Sequence, residues 1–191
     1  MYVRDGKPRD ETWLREGIEA MGLAAATIQP AEYVIAADEG SNDRAGFGRL
    51  RVHSGEPAVG ELTSIGVRNP WRGQGVGAHV IERLVTKAGD AGCETVYMLI
   101  DEPGYPAQFG FEQRAIETLP EPLVDRQTEK QAAADGEVVA LAIDVNDFAM
   151  PPERREAFKT ARPAGDEPTP DATEDFGIDA EGATYKYDTG R

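Results

Sequence analysis

Residues 58–92 contain the pattern that most constrains the fold, because a strand, a glycine-rich loop and a helix follow one another directly. The strand, residues 58–67, is apolar and rich in β-branched residues, which favours a strand with both faces at least partly covered. One apolar stripe at helical spacing marks the helix and consists of Val76, Val80, Ile81, Leu84, Val85 and Ala88. The segment therefore predicts a strand–loop–helix unit at the centre of an α/β fold.

The loop, residues 72–77, reads Arg-Gly-Gln-Gly-Val-Gly and has the properties of an anion site. The first turn of a helix leaves N–H groups without intrahelical partners, and the helix dipole adds partial positive charge there. Glycines remove the Cβ atoms that would keep a phosphate from the backbone, and Arg72 adds a guanidinium at the mouth. The pattern is neither a P-loop nor the G-x-G-x-x-G dinucleotide fingerprint.

The loop resembles the R/Q-x-x-G-x-G/A motif of the GNAT superfamily of N-acetyltransferases, and residues 107–111 resemble that family's later x-x-x-G-F motif. The resemblance covers about residues 1–145. It implies a mixed α/β (α+β) acyl-CoA N-acyltransferase fold, with a central sheet of about six to seven strands and flanking helices. It also implies that the loop binds the pyrophosphate of acetyl-CoA. The cofactor-binding residues so implied are Ile65, Gly66, Val67, Arg72, Gly73, Gln74, Gly75, Val76, Gly77 and Ala78.

The remaining elements are predicted from periodicity and from turn residues. The predicted helices cover residues 10–21 and 105–109, and residues 23–31 are interpreted as a loop or a short helix. The other predicted strands cover residues 2–4, 33–37, 45–53, 94–100, 111–115 and 138–145. The strand at 138–145 should pair antiparallel with the one before it, and an exposed final strand could join two subunits in a homodimer. No element is predicted within residues 116–136, which are acidic and poorly periodic.

Charge and cysteine content exclude several classes of function. The 191 residues carry a net charge of −15, with 35 acidic against 20 basic side chains, which argues against nucleic acid and anionic membranes as partners. Scarce lysine and abundant acid resemble proteins of salt-in halophiles, although an acidic mesophilic protein fits as well. The single cysteine, Cys93, excludes an intramolecular disulfide and a cysteine-based metal cluster. With no signal peptide and no long apolar run, a cytoplasmic location is expected.

A change of composition divides the chain into residues 1–150, the acetyltransferase-like domain, and residues 151–191. The second part is acidic and rich in proline, which predicts a disordered or peripherally docked tail. Residues 178–191 contain Tyr185 and Tyr187 in a candidate strand.

Glu61 is the candidate general base for deprotonating an amine. Strict alternation along the strand gives it the same face as Ile65 and Val67, and similar amino-acid acetyltransferases carry a glutamate at this position. The alternative is a solvated, inert residue at the start of a strand. If Glu61 is the base, the substitution Glu61→Gln should lower kcat and flatten the acid limb of the pH profile.

The candidate acid for the leaving thiolate is Tyr105. Many GNAT proteins have a tyrosine four residues before the glycine of the G-F motif, and here that position is Pro106. Tyr105 is therefore one residue out of register. Either it takes the role through a shifted backbone, or solvent protonates the thiolate and Tyr105 packs against the pantetheine arm.

Arg49 and Arg51 are the candidate acceptor-binding residues, with Arg68 a further candidate, because clustered arginine in so acidic a chain indicates a carboxylate-bearing substrate. The alternative is ordinary pairing with surface Asp or Glu. His53 and His79 are isolated in the sequence, and His79 is interpreted as a packing or surface residue.

The sequence therefore predicts an enzyme that uses acetyl-CoA to acetylate a small amine or an amino acid by direct transfer, without a metal. No cysteine or serine stands in a nucleophile context. Two alternatives remain open: a non-catalytic acyl-CoA-binding module of the same fold, and a protein N-acetyltransferase acting on lysines.

Overall fold

The computed structural model describes residues 1–23 and 27–164, and these form one mixed seven-stranded sheet with helices on both faces. The strand order is β1-β2-β3-β4-β5-β7-β6. The strands are β1 (Tyr2–Asp5), β2 (Tyr33–Ala37), β3 (Arg44–His53), β4 (Ala58–Val67), β5 (Cys93–Ile100), β6 (Glu112–Arg114) and β7 (Val139–Asp144). The helices are α1 (Glu11–Ala20), α2 (Val76–Asp90), α3 (Gly104–Ala107), α4 (Glu121–Ala133) and α5 (Pro152–Lys159). The candidate strand at 178–191 lies outside the described residues.

Three apolar clusters hold the helices against the sheet. Helix α2 packs on one face through the stripe read from the sequence, including the fully buried Val80 and Leu84. Helix α1 covers the opposite face of β2 and β3 through Leu14 and Ile18. Helix α4 covers the same face as α1, over β5 and β7, through Leu123. The sheet is therefore buried on both sides, as the apolar content of its strands requires.

Strands β4 and β5 are parallel neighbours that separate part-way along their length. Their pairing ends at Glu61 opposite Tyr97, whereas β4 runs on to Val67 and β5 runs on to Ile100 beside β7. We call the resulting opening, between residues 63–67 of β4 and residues 98–100 of β5, the wedge. It exposes two rows of strand backbone to a ligand at the centre of the sheet.

A bulge in β4 reverses the facing of its side chains at the wedge. Ser64 has φ 48°, and the register with β3 shifts between Phe47 and Arg49. A bulge inserts one extra residue and so breaks strict alternation. Ile65 therefore points toward α2, whereas Glu61 points toward α4 on the opposite face. The prediction that Glu61 shares a face with Ile65 and Val67 is wrong for this reason.

Helix α4, like α5, is an element that periodicity missed. It lies within residues 116–136, and its inward side buries only Leu123 and Gln127. The positions around them carry charge, because Arg126 and Lys130 reach a buried carboxylate in the sheet. A helix with so narrow an apolar stripe leaves little signal in the sequence.

Candidate active site

A cavity of about 520 Å³ opens in the wedge on the α2 face of the sheet. Its walls come from both separated strands, with Ile65 and Val67 on β4 and Met98 and Ile100 on β5. The glycine loop closes one end. All the implied cofactor residues line this cavity except Gln74 and Ala78.

The glycine loop has the backbone geometry of an anion cradle. Gly73 and Gly75 have φ of +71° and +75°, which side chains other than glycine rarely adopt. The first helical hydrogen bond runs from the His79 N–H to the Gly75 carbonyl, so the N–H groups of residues 76–78 precede the helical ladder. Arg72 donates from Nε to the Val67 carbonyl at 3.2 Å, which holds the side chain at the cavity mouth.

Gln74 holds the loop in place and does not line the cavity. Its side-chain amide donates to the Pro70 carbonyl at 3.1 Å, and its Oε1 accepts from the Arg162 N–H at 2.9 Å. Ala78 is fully buried under the loop.

Tyr105 lies in α3 at the glycine-loop end of the cavity. Its hydroxyl would be 3.3 Å from a Cβ added to Gly77, at the start of α2. Burial raises the pKa of Tyr105, and the nearby Arg154 and the Ala78 backbone oppose that rise. Pro106 is buried beside it. The hydroxyl is thus next to the helix N-terminus, where phosphate oxygens would be expected.

On the opposite face of the sheet, Glu61 is fully buried in a cluster of basic side chains. Arg126 donates to its two oxygens at 3.2 and 3.3 Å, and His53 Nε2 lies 3.1 Å away. Lys130 Nζ is 3.7 Å from the same carboxylate. Burial alone would raise the pKa of Glu61, but the cationic neighbours outweigh it and hold the pKa below its usual value. The alternative of a solvated residue is excluded.

Lys130 spans the wedge at the point where β4 and β5 separate. Its ammonium donates to the Thr63 hydroxyl on β4 at 3.3 Å and to the Leu99 carbonyl on β5 at 3.0 Å. Burial lowers the pKa of Lys130, and the charges of Arg126 and Arg51 act in the same direction while Glu61 opposes them. A partly buried cation therefore faces the wedge from the side opposite the glycine loop.

Arg49 and Arg51 lie on this same face but differ in their partners. Arg49 is buried and paired with Glu32 at 2.6 Å, so ordinary ion pairing accounts for it. Arg51 stands directly opposite Glu61 on the neighbouring strand. Among residues 1–23 and 27–164 it has no ion-pair or hydrogen-bond partner, so its charge is free to meet a ligand.

A model of the acetyltransferase (GNAT) family matches residues 2–114, which is more than half of the chain. The chain belongs to the GNAT family. A search of curated protein sequences finds no significant match.

Solved structures with the GNAT fold resemble the chain at low sequence identity. N-acetylglutamate synthase from Neisseria gonorrhoeae, complexed with coenzyme A and N-acetyl-glutamate, has a TM-score of 0.61 at 18% identity. The alignment covers 75% of this chain and 35% of the synthase, so the chain spans about a third of that protein. A Mycobacterium tuberculosis protein in complex with CoA has a TM-score of 0.60 at 16% identity, over 75% of this chain and 99% of that one.

A third neighbour is the NatC complex bound to a Gag peptide and CoA, with a TM-score of 0.54 at 13% identity over 75% of this chain and 97% of that one. The three neighbours were all solved with CoA, but their second ligands differ. At such identities they establish the GNAT fold and leave the acceptor open.

The other polar residues discussed from the sequence have contacts or packing within the protein. Cys93 is buried, and burial raises its pKa, which suits a packing role. His79 is buried and stacks on Phe158, whereas His53, isolated in the sequence, contacts Glu61. Arg68 donates to the Arg44 carbonyl beside α1.

In the part of the chain that the structure describes, no group of three or more His, Cys, Asp or Glu is arranged to hold a metal. No helix in that part is long and apolar enough to cross a membrane.

Three basic residues at or near the wedge escaped the sequence analysis: Arg126, Lys130 and Arg154. Arg126 and Lys130 are four residues apart and so share one helix face. That spacing, in a chain with only 20 basic residues, is the signal that could have identified them. Arg154 lies beyond the matched family region and carries no such signal.

Proposed function

We propose that this chain is an N-acetyltransferase that transfers the acetyl group of acetyl-CoA to the primary amine of a small, carboxylate-bearing molecule such as an amino acid. One observation carries the proposal. The wedge has a glycine-loop cavity on one face and the partly buried Lys130, near the unpaired Arg51, on the other. A donor and an acceptor can therefore meet through the sheet.

The cavity side fits acetyl-CoA as a substrate. The left-handed Gly73 and Gly75 and the N–H groups of Val76 and Gly77 at the start of α2 suit a pyrophosphate, with Arg72 at the mouth. The separated edge of β4 at residues 65–67 suits the amide groups of the pantetheine arm. The CoA-bound neighbours support this assignment by analogy of fold.

The opposite side fits an acceptor with a carboxylate. Arg51 offers a planar guanidinium with no acidic partner among the described residues. Lys130 is close enough to Arg51 that the positive charge of Arg51 lowers the pKa of Lys130. The same positive surroundings favour the neutral form of a bound amine, which is the form that attacks a thioester. The neighbouring synthase, solved with N-acetyl-glutamate, supports an amino-acid acceptor.

The transfer is direct. The neutral amine attacks the thioester carbonyl carbon, a C–N bond forms, the C–S bond breaks, and the amine nitrogen loses a proton while the thiolate gains one. Backbone N–H groups near residues 65–67 are the candidate donors to the carbonyl oxygen. We assign protonation of the thiolate to solvent, because the Tyr105 hydroxyl lies beside Gly77 at the glycine-loop end.

In this proposal Glu61 is a positioning residue. A carboxylate held ionised by Arg126 and Lys130 is a poor proton acceptor near neutral pH. Its charge instead keeps these two side chains, and the neighbouring His53, in place beneath the wedge. The proton of the amine then passes to solvent.

A non-catalytic acyl-CoA-binding module is the second candidate. Pro106 at the family's tyrosine position and the lack of solvent access at Glu61 favour it. The two candidates differ in whether acetyl-CoA is consumed.

The test is a panel of amino acids and their carboxamide counterparts, assayed by thiol release from acetyl-CoA with wild-type, Arg51→Gln and Arg44→Gln proteins. We expect the amino acids to be acetylated faster than their carboxamide counterparts. Arg51→Gln should raise the acceptor KM by about tenfold or more, which is the loss of one charge-assisted hydrogen bond. Arg44 lies on the same strand but pairs with Asp10, so Arg44→Gln removes an equal charge and should leave KM unchanged.

Binding of acetyl-CoA without thiol release in the presence of any amine would favour the non-catalytic module. Thiol release that does not depend on any amine would be hydrolysis of the thioester and would refute transfer to an amine. Equal turnover of acids and amides, with Arg51→Gln like wild type, would refute the carboxylate acceptor. Turnover of lysine peptides alone would assign the chain to protein acetylation instead.

A further inference from the structure

The segment after β7 returns to the glycine loop and packs against it. The Ala149 N–H donates to the Phe109 carbonyl at 3.1 Å, and the Phe148 ring stacks on the Phe109 ring at 5.4 Å. Helix α5 follows and contacts the start of α2. The carbonyl of Arg154 lies so close to Gly75 that a Cβ there would clash with it. The glycine at position 75 is thus required by α5 as well as by its own φ.

Two further contacts fix this segment on both sides of the loop. Phe158 is buried and stacks on His79 with ring centroids 3.8 Å apart, while His79 Nδ1 donates to the Gly75 carbonyl at 2.9 Å. Beyond α5, the Ala164 N–H donates to the Pro70 carbonyl at 2.8 Å. Residues 145–164 therefore form a strap across the glycine loop, which we call the C-terminal strap.

The strap brings one arginine into the cavity. Arg154 lines it together with Gly73 and Tyr105. Its Nε donates to Gln108 Oε1 at 2.9 Å, and its guanidinium carbon lies 5.8 Å from the centre of the Tyr105 ring. These contacts hold the guanidinium in one orientation at the wall of the cavity.

Arg154 lacks the partner that an acidic protein would be expected to provide. Over residues 1–23 and 27–164 no carboxylate pairs with it, although the chain has 35 acidic side chains. Its neighbour Arg155 points away from the cavity and pairs with Glu82 at 3.1 Å. An oriented, unpaired guanidinium beside a helix N-terminus is the arrangement that binds phosphate.

We propose that Arg154 binds a phosphate group of acetyl-CoA, so that the C-terminal strap, which lies outside the matched family region, completes the cofactor site. The inference rests on the proposed function for its ligand. It goes beyond the glycine loop, because it adds a phosphate ligand from a separate element of the chain. It also explains why α5 is anchored on the loop at both ends.

The test is calorimetric titration of CoA and of 3′-dephospho-CoA into wild-type, Arg154→Gln, Arg154→Lys and Arg155→Gln proteins. We expect Arg154→Gln to weaken CoA binding by about tenfold or more, the effect of one charged hydrogen bond. Arg155→Gln removes the same charge from the same helix and should bind as wild type does. Arg154→Lys keeps the charge but not the fork, and should lie between the two.

The dephospho-CoA titration identifies which phosphate is bound. A loss in Arg154→Gln for CoA but not for dephospho-CoA assigns Arg154 to the 3′-phosphate, and an equal loss for both assigns it to the pyrophosphate. CoA binding by Arg154→Gln equal to that of Arg155→Gln would overturn the inference. Failure of the wild type to bind CoA is a different result, because it would refute the proposed function itself.

Discussion

Asp10 and Glu61 are both buried carboxylates with two cationic partners, but their surroundings differ. Asp10, next to α1, is paired with Arg4 at 2.7 Å and Arg44 at 2.9 Å, and it also accepts the Lys7 N–H. Neither these groups nor Glu61 and its partners are among the residues that line the cavity on the α2 face. Glu61 lies at the last pair of β4 and β5, and its partner Lys130 also reaches Thr63 and the backbone of β5.

The two clusters differ in their position and not in the direction of their pKa shifts. Arg4 and the carboxylate hydrogen bonds hold the pKa of Asp10 below its usual value, and cationic neighbours do the same for Glu61. A lowered pKa is therefore common to both and identifies neither as catalytic. The difference is that the Asp10 cluster is closed, whereas the Glu61 cluster borders an opening in the sheet and adjoins the unpaired Arg51.

The largest expected effect is the loss of stability when Asp10 is replaced. Asp10→Asn leaves Arg4 and Arg44 without their counter-charge, so we expect the free energy of unfolding to fall by about 3–5 kcal/mol. Acetyl transfer per folded molecule should not change. Denaturant unfolding at neutral pH, beside a kinetic assay of the folded protein, measures both quantities.

The pH dependence of unfolding provides the control for Asp10. Because its folded pKa is depressed, its contribution is complete above the ordinary aspartate value near 3.8 and is lost as the pH falls toward the folded pKa. The wild type should therefore lose more stability than Asp10→Asn on acidification below that value. Parallel acid profiles for the two proteins would contradict the assigned ion cluster.

The smaller effect is expected at Glu61. Arg126 keeps Glu129 at 2.6 Å and Lys130 keeps its two hydrogen bonds, so Glu61→Gln should cost only about 1–3 kcal/mol of stability. As a positioning residue it should raise the acceptor KM by about tenfold without altering the acid limb of the pH profile. Initial-rate kinetics from pH 5 to 9, roughly the range in which general bases titrate, supply this measurement.

A different result for Glu61→Gln would identify Glu61 as the general base that the sequence predicts. A kcat lower by about a hundredfold or more, with the acid limb flattened and KM unchanged, is the behaviour of a general base. Normal CoA affinity in the same variant would show that the loop side is intact.

The central unit of the fold could be predicted because its signals are local. The apolar, β-branched run of β4, the glycines at 73, 75 and 77 and the stripe of α2 each depend on neighbouring residues, and the structure has these elements at the expected positions. The family motif adds the cavity residues, since a loop motif and its backbone geometry go together.

The acceptor side could not be predicted because it depends on a bulge and on distant pairing. The residue pattern does not predict that Ser64 adopts a positive φ, nor that the resulting bulge places Glu61 and Ile65 on opposite faces of the sheet. The partners of Glu61 on α4, Arg126 and Lys130, lie more than sixty residues away, as the separation of 65 for Arg126 illustrates. The position of Arg154 likewise depends on one buried aromatic, Phe158, in a segment of otherwise polar composition.

The most direct test of the account is calorimetric titration of CoA into wild-type, Gly73→Asp and Gly92→Asp proteins in one buffer. Gly73 and Gly92 both have positive φ and open space around them, so the two substitutions impose the same strain and the same charge. Only Gly73 lines the cavity, and Gly92 lies beyond the far end of α2.

We predict that the wild type and Gly92→Asp bind CoA alike, and that Gly73→Asp binds about a hundredfold more weakly, because a carboxylate beside phosphates costs several kcal/mol. Equal binding by all three proteins would place the cofactor elsewhere. No binding by a folded wild type would contradict the assignment of the wedge as an acetyl-CoA site.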